Sequence, residues 1–533
     1  MQVSFKVGKK QITAKENLID KAVRFVSPEL GERRLRSRLS TAVLGGYTAG
    51  KRDRRALKGW NVAKGDADSD TLTDLQDIRE HSRDLNRNNP LAVSAISTNV
   101  VNVLGPGLRY QSRINRRFLG LSEEEAEEWE ENAEIYFNAW ADSQECDAAR
   151  TLNFGGIQNL TYISSLDSGD SFVTMPMFDR PGSPFRLKLQ VIEADRVCNK
   201  DNVADREDLA AGVETDINGA PISYHFAKKH PGALHAANQE WDVVPAFGVK
   251  TGRRNVIHLF DKKRPGQKRG VPYLAPVIEA LKQLGDYTEA ELTAAVVSGL
   301  FTVFIETEFG HSDGLGDEIQ QNGSSNNSEV GLGSGAIVDL AKGEKVSSAN
   351  PGRPNSAFDP FVIAILRQVG AALQIPFELL VKHFTASYSA SRAAINEAWK
   401  FFKTRRKWVV DYLCTPVLEE FLTEAVSRGF INAPGFLTDP LVRKAYLGAV
   451  WTGPARGQIN ELQEVNAAKE RVAAGFSNES IETAEMTGGD WDQNTRQRAK
   501  ELRIKRSEKI PIAVPSNTEE PPIPDPSEQD NID

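Results

Sequence analysis

The chain predicts an α+β protein, and three observations carry that expectation. Apolar residues recur at helical spacing before Asp142, the period changes to two from about Asp170 to Asp261, and a long helical stretch then runs from Pro272 to Ser298. At 533 residues the length allows about three or four domains.

The first 58 residues are basic and irregular, with GERRLRSRL and KRDRRALKGW. They read as a solvated arm or as one touching nucleic acid or an acidic partner. Leu72, Leu75, Ile78, Ser82 and Leu85 then trace a helix that Asn89-Pro90 breaks. The next helix carries Val93, Ile96, Val100 and Val103 on one face and stops at Gly105-Pro106-Gly107. SEEEAEEWEENAEIYFNAWADS is a third helix. Ser122 is its N-cap, and the acidic residues of its first turns oppose the positive end of the helix dipole.

SFVTMPMFD, FRLKLQVIE and NVIHLFD read as strands, and GVETDINGAPISYHFAKK as a hairpin on a type I′ turn at Asn218-Gly219. Leu274, Ile278, Leu281, Leu284, Thr288, Leu292 and Ala295 form one stripe of a helix with Pro272 in its first turn. Residues 272–298 would make a rod of about 40 Å. GLFTVFIE and AIVDL read as two strands around a Gly/Ser/Asn-rich loop, followed by a turn at AKGEK. Asp359 as N-cap and Pro360 at N1 start another helix, lined by Phe361, Ile365, Val369 and Leu373. Ile395, Trp399, Phe402, Val409 and Leu413 mark a long helix, with Lys400, Lys403, Arg405, Arg406 and Lys407 as its basic band. LVRKAYLGAVW, NELQEVNAAKERVAAG and WDQNTRQRAKELRIKR read as further helices, and the acidic, Pro-rich end as disordered.

Composition narrows the function. Apolar content of 40% and charged content of 26% suit a large core. A net charge of -8 argues against a protein whose main task is gripping phosphates, but not against one that lets DNA pass. Cys146, Cys198 and Cys414 form neither a disulfide framework nor a metal-ligand spacing, which fits a reducing cytoplasm. The first residues lack the apolar core of a secretory signal. The longest uncharged apolar run, Leu292 to Ile305, is too short to span a bilayer. A soluble protein with no membrane partner is expected.

No catalytic residue, cofactor or metal site is predicted, and the chain reads as no enzyme. There is no G-x-x-x-x-G-K-[ST], and GLGSG at 331–335 precedes a strand. His225, His230 and His235 lie five apart, a spacing that suits no pair of ligands on a helix or strand. Glu193 and Asp195 sit on one side of a strand end. They would hold a metal or pair with Arg196 or a partner chain, and pairing is the preferred reading. The Ser387–Ser391 cluster lacks a G-x-S-x-G setting. What remains distinctive is ASYSASRAAINEAWKFFKTRRKWVV, a run of small hydroxyl residues joined to a stiff basic helix.

RDLNRNNPLAVSAISTNVVNVLGPGL, GVETDINGAPISYHF, VIHLFDKKRPGQKRGVPYLAPVIEAL and SYSASRAAINEAW, in this order from about Trp60 to Arg406, resemble phage portal proteins of the lambda type. The resemblance implies a ring of about twelve chains at one capsid vertex, admitting DNA during packaging and releasing it on infection. It implies a portal-protein fold divided as follows: a basic arm, 1–58; a wing of helices and strands, 59–270; stem helices, 271–298 and 358–380, around a clip insert, 299–357; a tunnel loop, 381–391; a long wing helix, 392–430; a helical crown, 431–507; and an acidic tail, 508–533. Implied partners are further copies of the chain, double-stranded DNA, the terminase large subunit, the major capsid protein or scaffold, and a head-tail connector protein. The implied location is the virion, after assembly in the host cytoplasm.

A loop of Ser, Thr, Ala and Tyr can face a moving duplex without tight phosphate contacts, whereas each added Lys or Arg would add counterion-release affinity and drag. On this reading Lys382, His383, Thr385, Ser387, Tyr388, Ser389 and Ser391 face the channel. Arg405, Arg406 and Lys407 are candidate nucleic-acid contacts, set against a preferred reading as a solvated face or inter-subunit salt bridges. Two other classes stay open at this point: a capsid or connector protein without a DNA channel, and a metal-dependent nuclease using Glu193 and Asp195.

Overall fold

The computed structural model describes residues 64–233, 239–299, 357–384, 387–458 and 460–510, four strands outside those ranges, and a few residues between 25 and 60. The chain divides into two units, Met1–Asp66 and Ala67–Asp533. In the first, β1 (Gln2–Val7) and β2 (Lys10–Lys15) pair antiparallel, with Phe5 opposite Ile12. The basic arm thus opens on a hairpin where composition alone suggested irregular chain. The alternation of Val3, Phe5 and Val7 was its local signal.

The second unit begins with a short helix, Ala67–Leu72, so the first expected helix is broken before α1 (Leu75–Asn88). Leu75, Ser82 and Leu85 are buried at helical spacing, with Arg79 among them. Asn89 then caps α2 (Pro90–Val103): its side-chain oxygen accepts from the N–H groups of Leu91 and Ala92 at 3.0 and 3.1 Å. Pro90 occupies the first turn, where its missing N–H costs nothing. The buried face of α2 is Ala92, Ala95, Ile96, Asn99 and Val103. Val93, expected on it, is exposed. Ser122 and Glu125 close a capping box at the start of α3 (Glu123–Ala141), which buries Ala126, Ala133, Phe137 and Trp140.

α4 (Phe154–Ser168) delivers the chain into β4 (Asp170–Thr174). This is the central strand of an antiparallel sheet between β5 (Gln190–Ile192) and β10 (Val256–Phe260). A second antiparallel sheet runs β6 (Leu209–Ala210), β7 (Val213–Thr215), β8 (Pro221–Ala227), β9 (Trp241–Pro245). Its hairpin is not type I′, which needs positive φ at both central residues. Only Gly219 is left-handed there, at φ 80°; the Gly219 N–H bonds Asp216 O, and the strand register shifts at Glu214. Asp216 explains the choice, since its side chain accepts from the N–H groups of both Asn218 and Ala220.

The rod, α5 (Ile278–Gly299), follows a short turn at Ala275–Val277, so Pro276 and not Pro272 occupies the first turn. Its 22 residues span about 33 Å. Leu281 and Leu284 are buried, whereas Leu292 and Val296 further along are 66% and 59% exposed. β11 (Val303–Thr307) pairs antiparallel with β12 (Glu344–Ser348). The strand is therefore EKVSS, part of which was expected as a turn; AIVDL and the Gly/Ser/Asn loop lie outside the described residues. α6 (Phe358–Leu373) starts one residue before Asp359, with Ala357 at the N-cap. Tyr287 packs its ring on Phe358 and Phe361, at 5.5 and 5.4 Å between centroids, and joins α5 to α6. Val369 and Leu373 are buried as expected, and Phe361 is half exposed.

α7 (Phe377–Val381) and α8 (Tyr388–Val409) follow, and α8 continues through a π-turn at Val410–Cys414 into α9 (Thr415–Ser427). LVRKAYLGAVW is a helix only as far as Tyr446. β13 (Ala449–Thr452) then pairs with β3 (Arg109–Ser112). Gly448 makes this possible, because a Cβ there would lie 2.0 Å from the Arg113 carbonyl oxygen. Trp451 thereby joins Tyr110, Phe137, Phe154 and Phe421 in one aromatic core. Three helices close the described chain: α10 (Glu461–Ala473), α11 (Glu479–Thr487), which the sequence pattern did not suggest, and α12 (Trp491–Ser507). No helix among the described residues is long and apolar enough to cross a membrane. Residues 511–533, most of the expected acidic tail, lie outside the described residues.

Candidate functional site

The hydroxyl-rich segment lies between α7 and α8, and the structure shortens it. α6 ends at Gln374 in the left-handed region, φ 56°, where the Ile375 N–H turns back to Gly370 O. Pro376 then starts α7, and Lys382, at φ 55°, ends it. The His383 N–H bonds Glu378 O at 3.1 Å. This end is pinned to α2, because Ser94 Oγ donates to Leu380 O at 2.7 Å and Leu380 is buried. Lys382, His383 and Phe384 are exposed. Phe384, an exposed aromatic among the hydroxyl residues, was not singled out from sequence.

Thr385 lies outside the described residues. Ser387 is the N-cap of α8; its carbonyl accepts from the Ser391 N–H, and its hydroxyl lies 3.3 Å from that of Ser389. Tyr388, Ser389 and Ser391 are therefore helical. The connection is 382–387, where 381–391 was expected, because helix hydrogen bonding takes in residues of weak helix preference once Ser387 has turned the chain.

The basic band behind this segment is engaged within the chain. Lys400 pairs with Glu397, Lys403 with Glu485, and Lys407 with Asp411. Arg405 bonds Asp261 at 3.0 Å and lies over the rings of Phe401 and Trp408. Arg406 is the most committed. Its Nε donates to Val103 O at 2.9 Å, and one Nη donates to Asn102 O and Pro454 O at 3.0 and 2.8 Å. Asn102 and Val103 end α2, where carbonyls lack helical partners and the dipole favours a cation. Burial pulls the guanidinium below its ordinary pKa.

Glu193, Asp195 and His230 gather, with one ligand atom of each within 4.8 Å of the others. His230 Nε2 lies 3.3 Å from Asp195 and 3.7 Å from Glu193. The carboxylates nonetheless belong to arginines: Arg83 pairs with both, and Arg79 lies 3.6 Å from Asp195. Burial alone would raise the Asp195 carboxyl, but Arg83 and then Arg79 outweigh it and lower it. Two guanidiniums already balance the two carboxylates, so little charge is left to attract a divalent ion. The expected partner Arg196 instead donates to Ala227 O.

Sequence reasoning missed the hub beside this cluster. Asp170, wholly buried at the start of β4, accepts from Arg79 at 2.8 Å, from Arg269 at 2.6 and 3.2 Å, and from the Gly270 N–H at 3.2 Å. His258 Nε2 lies 3.3 Å away, its ring stacked between Phe172 and Phe260. Arg269 also donates to the carbonyls of Ala194, Val197 and Ala211. The approach is close because Gly169, φ 89°, faces Gly270; a Cβ on Gly169 would lie 2.5 Å from Gly270 O. Just beyond, the Tyr273 N–H bonds Leu166 O and its hydroxyl donates to Leu373 O. One network thus fixes the root of α5 and the end of α6 against the α4–β4 layer. The sequence signal available was the pair of opposed glycine-containing turns, GD at 169–170 and RG at 269–270.

A family comparison covers most of these elements. The profile of the phage portal protein, lambda family, matches residues 53–406, and the chain belongs to that family. It is 26% identical over 473 residues to the portal protein of Escherichia phage N15 and, to the same extent, to portal protein B of Escherichia phage lambda. In each case 85% of this chain and 88% of the relative are covered. Among solved structures it is similar to a chain in the neck of a native GTA particle (TM-score 0.39, 13% identity, 75% of this chain and 92% of that one). It is also similar to one in the virion of a native gene transfer agent particle (TM-score 0.41, 12% identity, 77% and 92%). These scores are too low to establish a shared fold. As a portal protein the chain is a virion component and not an enzyme.

Proposed function

We propose that this chain forms a closed ring of about twelve copies at one capsid vertex, the channel through which double-stranded DNA is packaged and ejected. Membership of the portal family over residues 53–406 carries the reading. Two features of the fold support it. The outer half of α5 leaves Leu292 and Val296 exposed, as a helix that packs on a neighbour would. The connection after α7, exposed at Lys382, His383, Phe384 and Ser387, follows a helix tied to α2 by the Ser94–Leu380 bond, while the cations behind it are turned to partners within the chain. On this reading Lys382, His383, Ser387 and Ser389 line the channel. The insert between α5 and α6 docks the terminase large subunit and later a head-tail connector, and the wing meets the major capsid protein or scaffold.

Light scattering is expected to find particles of about 700 kDa, twelve times the 58.7 kDa chain, and negative-stain images a ring with a central hole. A stable monomer at micromolar concentration in physiological salt would defeat the reading.

The channel assignment has its own test. Ser387→Lys with Ser389→Lys should leave ring assembly intact, since both positions are exposed, and slow packaging about threefold or more by adding phosphate contacts. The assay combines purified motor, capsids and variant rings. Full-length packaging at the parental rate would show that this segment does not meet the DNA.

A further inference from the structure

We infer that α12 is a docking arm for a second copy of this chain and seats on the acidic face of that copy's α3. The contact rests on the ring reading above. α12 has no buried residue, and a helix polar all round is marginal unless something covers it. Among the described residues its polar side-chain contacts with other elements lie near its start, Trp491 to Glu479, Asp492 to Arg113 and Arg496 to Glu131. Beyond that point come Arg498, Lys500, Arg503, Lys505, Arg506 and, past its end, Lys509, against Glu501 and Glu508. None of these six cations forms an ion pair among the described residues.

α3 is the complement. Residues 122–142 hold eight Glu and one Asp and no Lys or Arg. Glu124, Glu127, Glu128 and Glu131 fall at i, i+3, i+4 and i+7, which sets them in one exposed stripe. Glu131 holds Arg496 of its own chain; the other three form no ion pair among the described residues. Ile135, 57% exposed, continues the stripe, and α12 offers Ile504, 49% exposed. Two different, complementary surfaces on one chain make a head-to-tail contact, the kind that closes into a ring.

The segment 511–533, with six acidic residues and no basic one, follows α12 in the chain and is the other anionic candidate. The α3 stripe is the better match because Ala126, Ala133 and Phe137 lock that helix into the core, so docking orders only one partner.

The test uses full-length chains carrying Arg498→Glu, Arg503→Glu, Lys505→Glu and Arg506→Glu, or Glu124→Lys, Glu127→Lys and Glu128→Lys, or both sets. Rings are sized by mass photometry over dilution and salt, with duplex DNA binding and thermal unfolding followed in parallel. Either set alone should raise the concentration at which rings dissociate about tenfold or more, and the two together should restore it, because the charges are exchanged. Unchanged thermal midpoints would confirm that each variant folds. The docking assignment is overturned if both single sets dissociate at the wild-type concentration. It is also overturned if deleting 511–533 alters the rings while the glutamate set does not, or if the basic set weakens DNA binding and leaves assembly untouched. A wild-type chain that forms no ring sinks the ring reading itself, before any variant is compared.

Discussion

Asp170→Ala is expected to destabilise the protein by about 3–5 kcal/mol. The reason is the company Asp170 keeps. Removing it leaves Arg79 and Arg269 buried without the carboxylate between them and deprives the Gly270 N–H of its acceptor. Burial already pulls Arg79 down to about 10 even with Asp170 raising it, and without Asp170 that cost of burial loses its main compensation. Asp170→Asn keeps the shape and removes the charge, and should cost nearly as much. Chemical denaturation of the purified chain reads the effect, and a wild-type midpoint for Asp170→Ala would refute it.

Acid should report the same network. Burial alone would raise the Asp170 carboxyl, but Arg269 and Arg79 overcome it and hold it well below the usual carboxylate range. Its stabilisation is complete above the unfolded value of about 3.9 and is lost as pH falls toward the folded value. Burial lowers the His258 imidazole against the pull of Asp170. Its contribution is therefore complete above about 6.5 and declines below that, as the unfolded chain takes up the proton first. The His258 contribution should fall gently below pH of about 6.5 and the Asp170 contribution steeply below about 4, and comparing wild type with Asp170→Asn should isolate the steep limb.

Arg406→Ala should cost about 2–4 kcal/mol, because three carbonyl acceptors lose a charged donor at once. Two of them end α2, so the variant also uncaps a core helix. Arg406→Lys keeps the charge but cannot reproduce the planar fork, and should recover only part of the loss. Gly453→Ala provides a second probe without touching the arginine: its Cβ would lie 3.0 Å from Arg406 Nε and 2.6 Å from a Leu108 methyl. A thermal midpoint unchanged in Arg406→Ala, with DNA binding lost, would return this residue to the role of nucleic-acid contact.

These two residues show where sequence reasoning ends. Helices α1, α3 and α8 were legible because a helix repeats its apolar face every few residues, and Asn89-Pro90 and Ser122 supply local caps. The period-two strands around β4 and β10, and the family-like order of helix, hairpin, rod and hydroxyl segment, were legible for the same local reason. Partner choice is not local. AVW at 449–451 is too short to declare helix or strand by period, and only β3, more than 300 residues earlier, decides it. EKVSS became the partner of β11 through pairing that no single run announces. Arg406 read as one more cation in a basic band until folding brought the open end of α2 to it. Asp170 was marked only by the glycine before it until Arg79, His258 and Arg269 met around it, because a buried charge is stabilised by partners that only the tertiary fold assembles. The sequence by itself determined the periodic elements and the kind of protein; the tertiary structure alone decided which charges hold the root of α5 to the α4–β4 layer and which form no ion pair among the described residues.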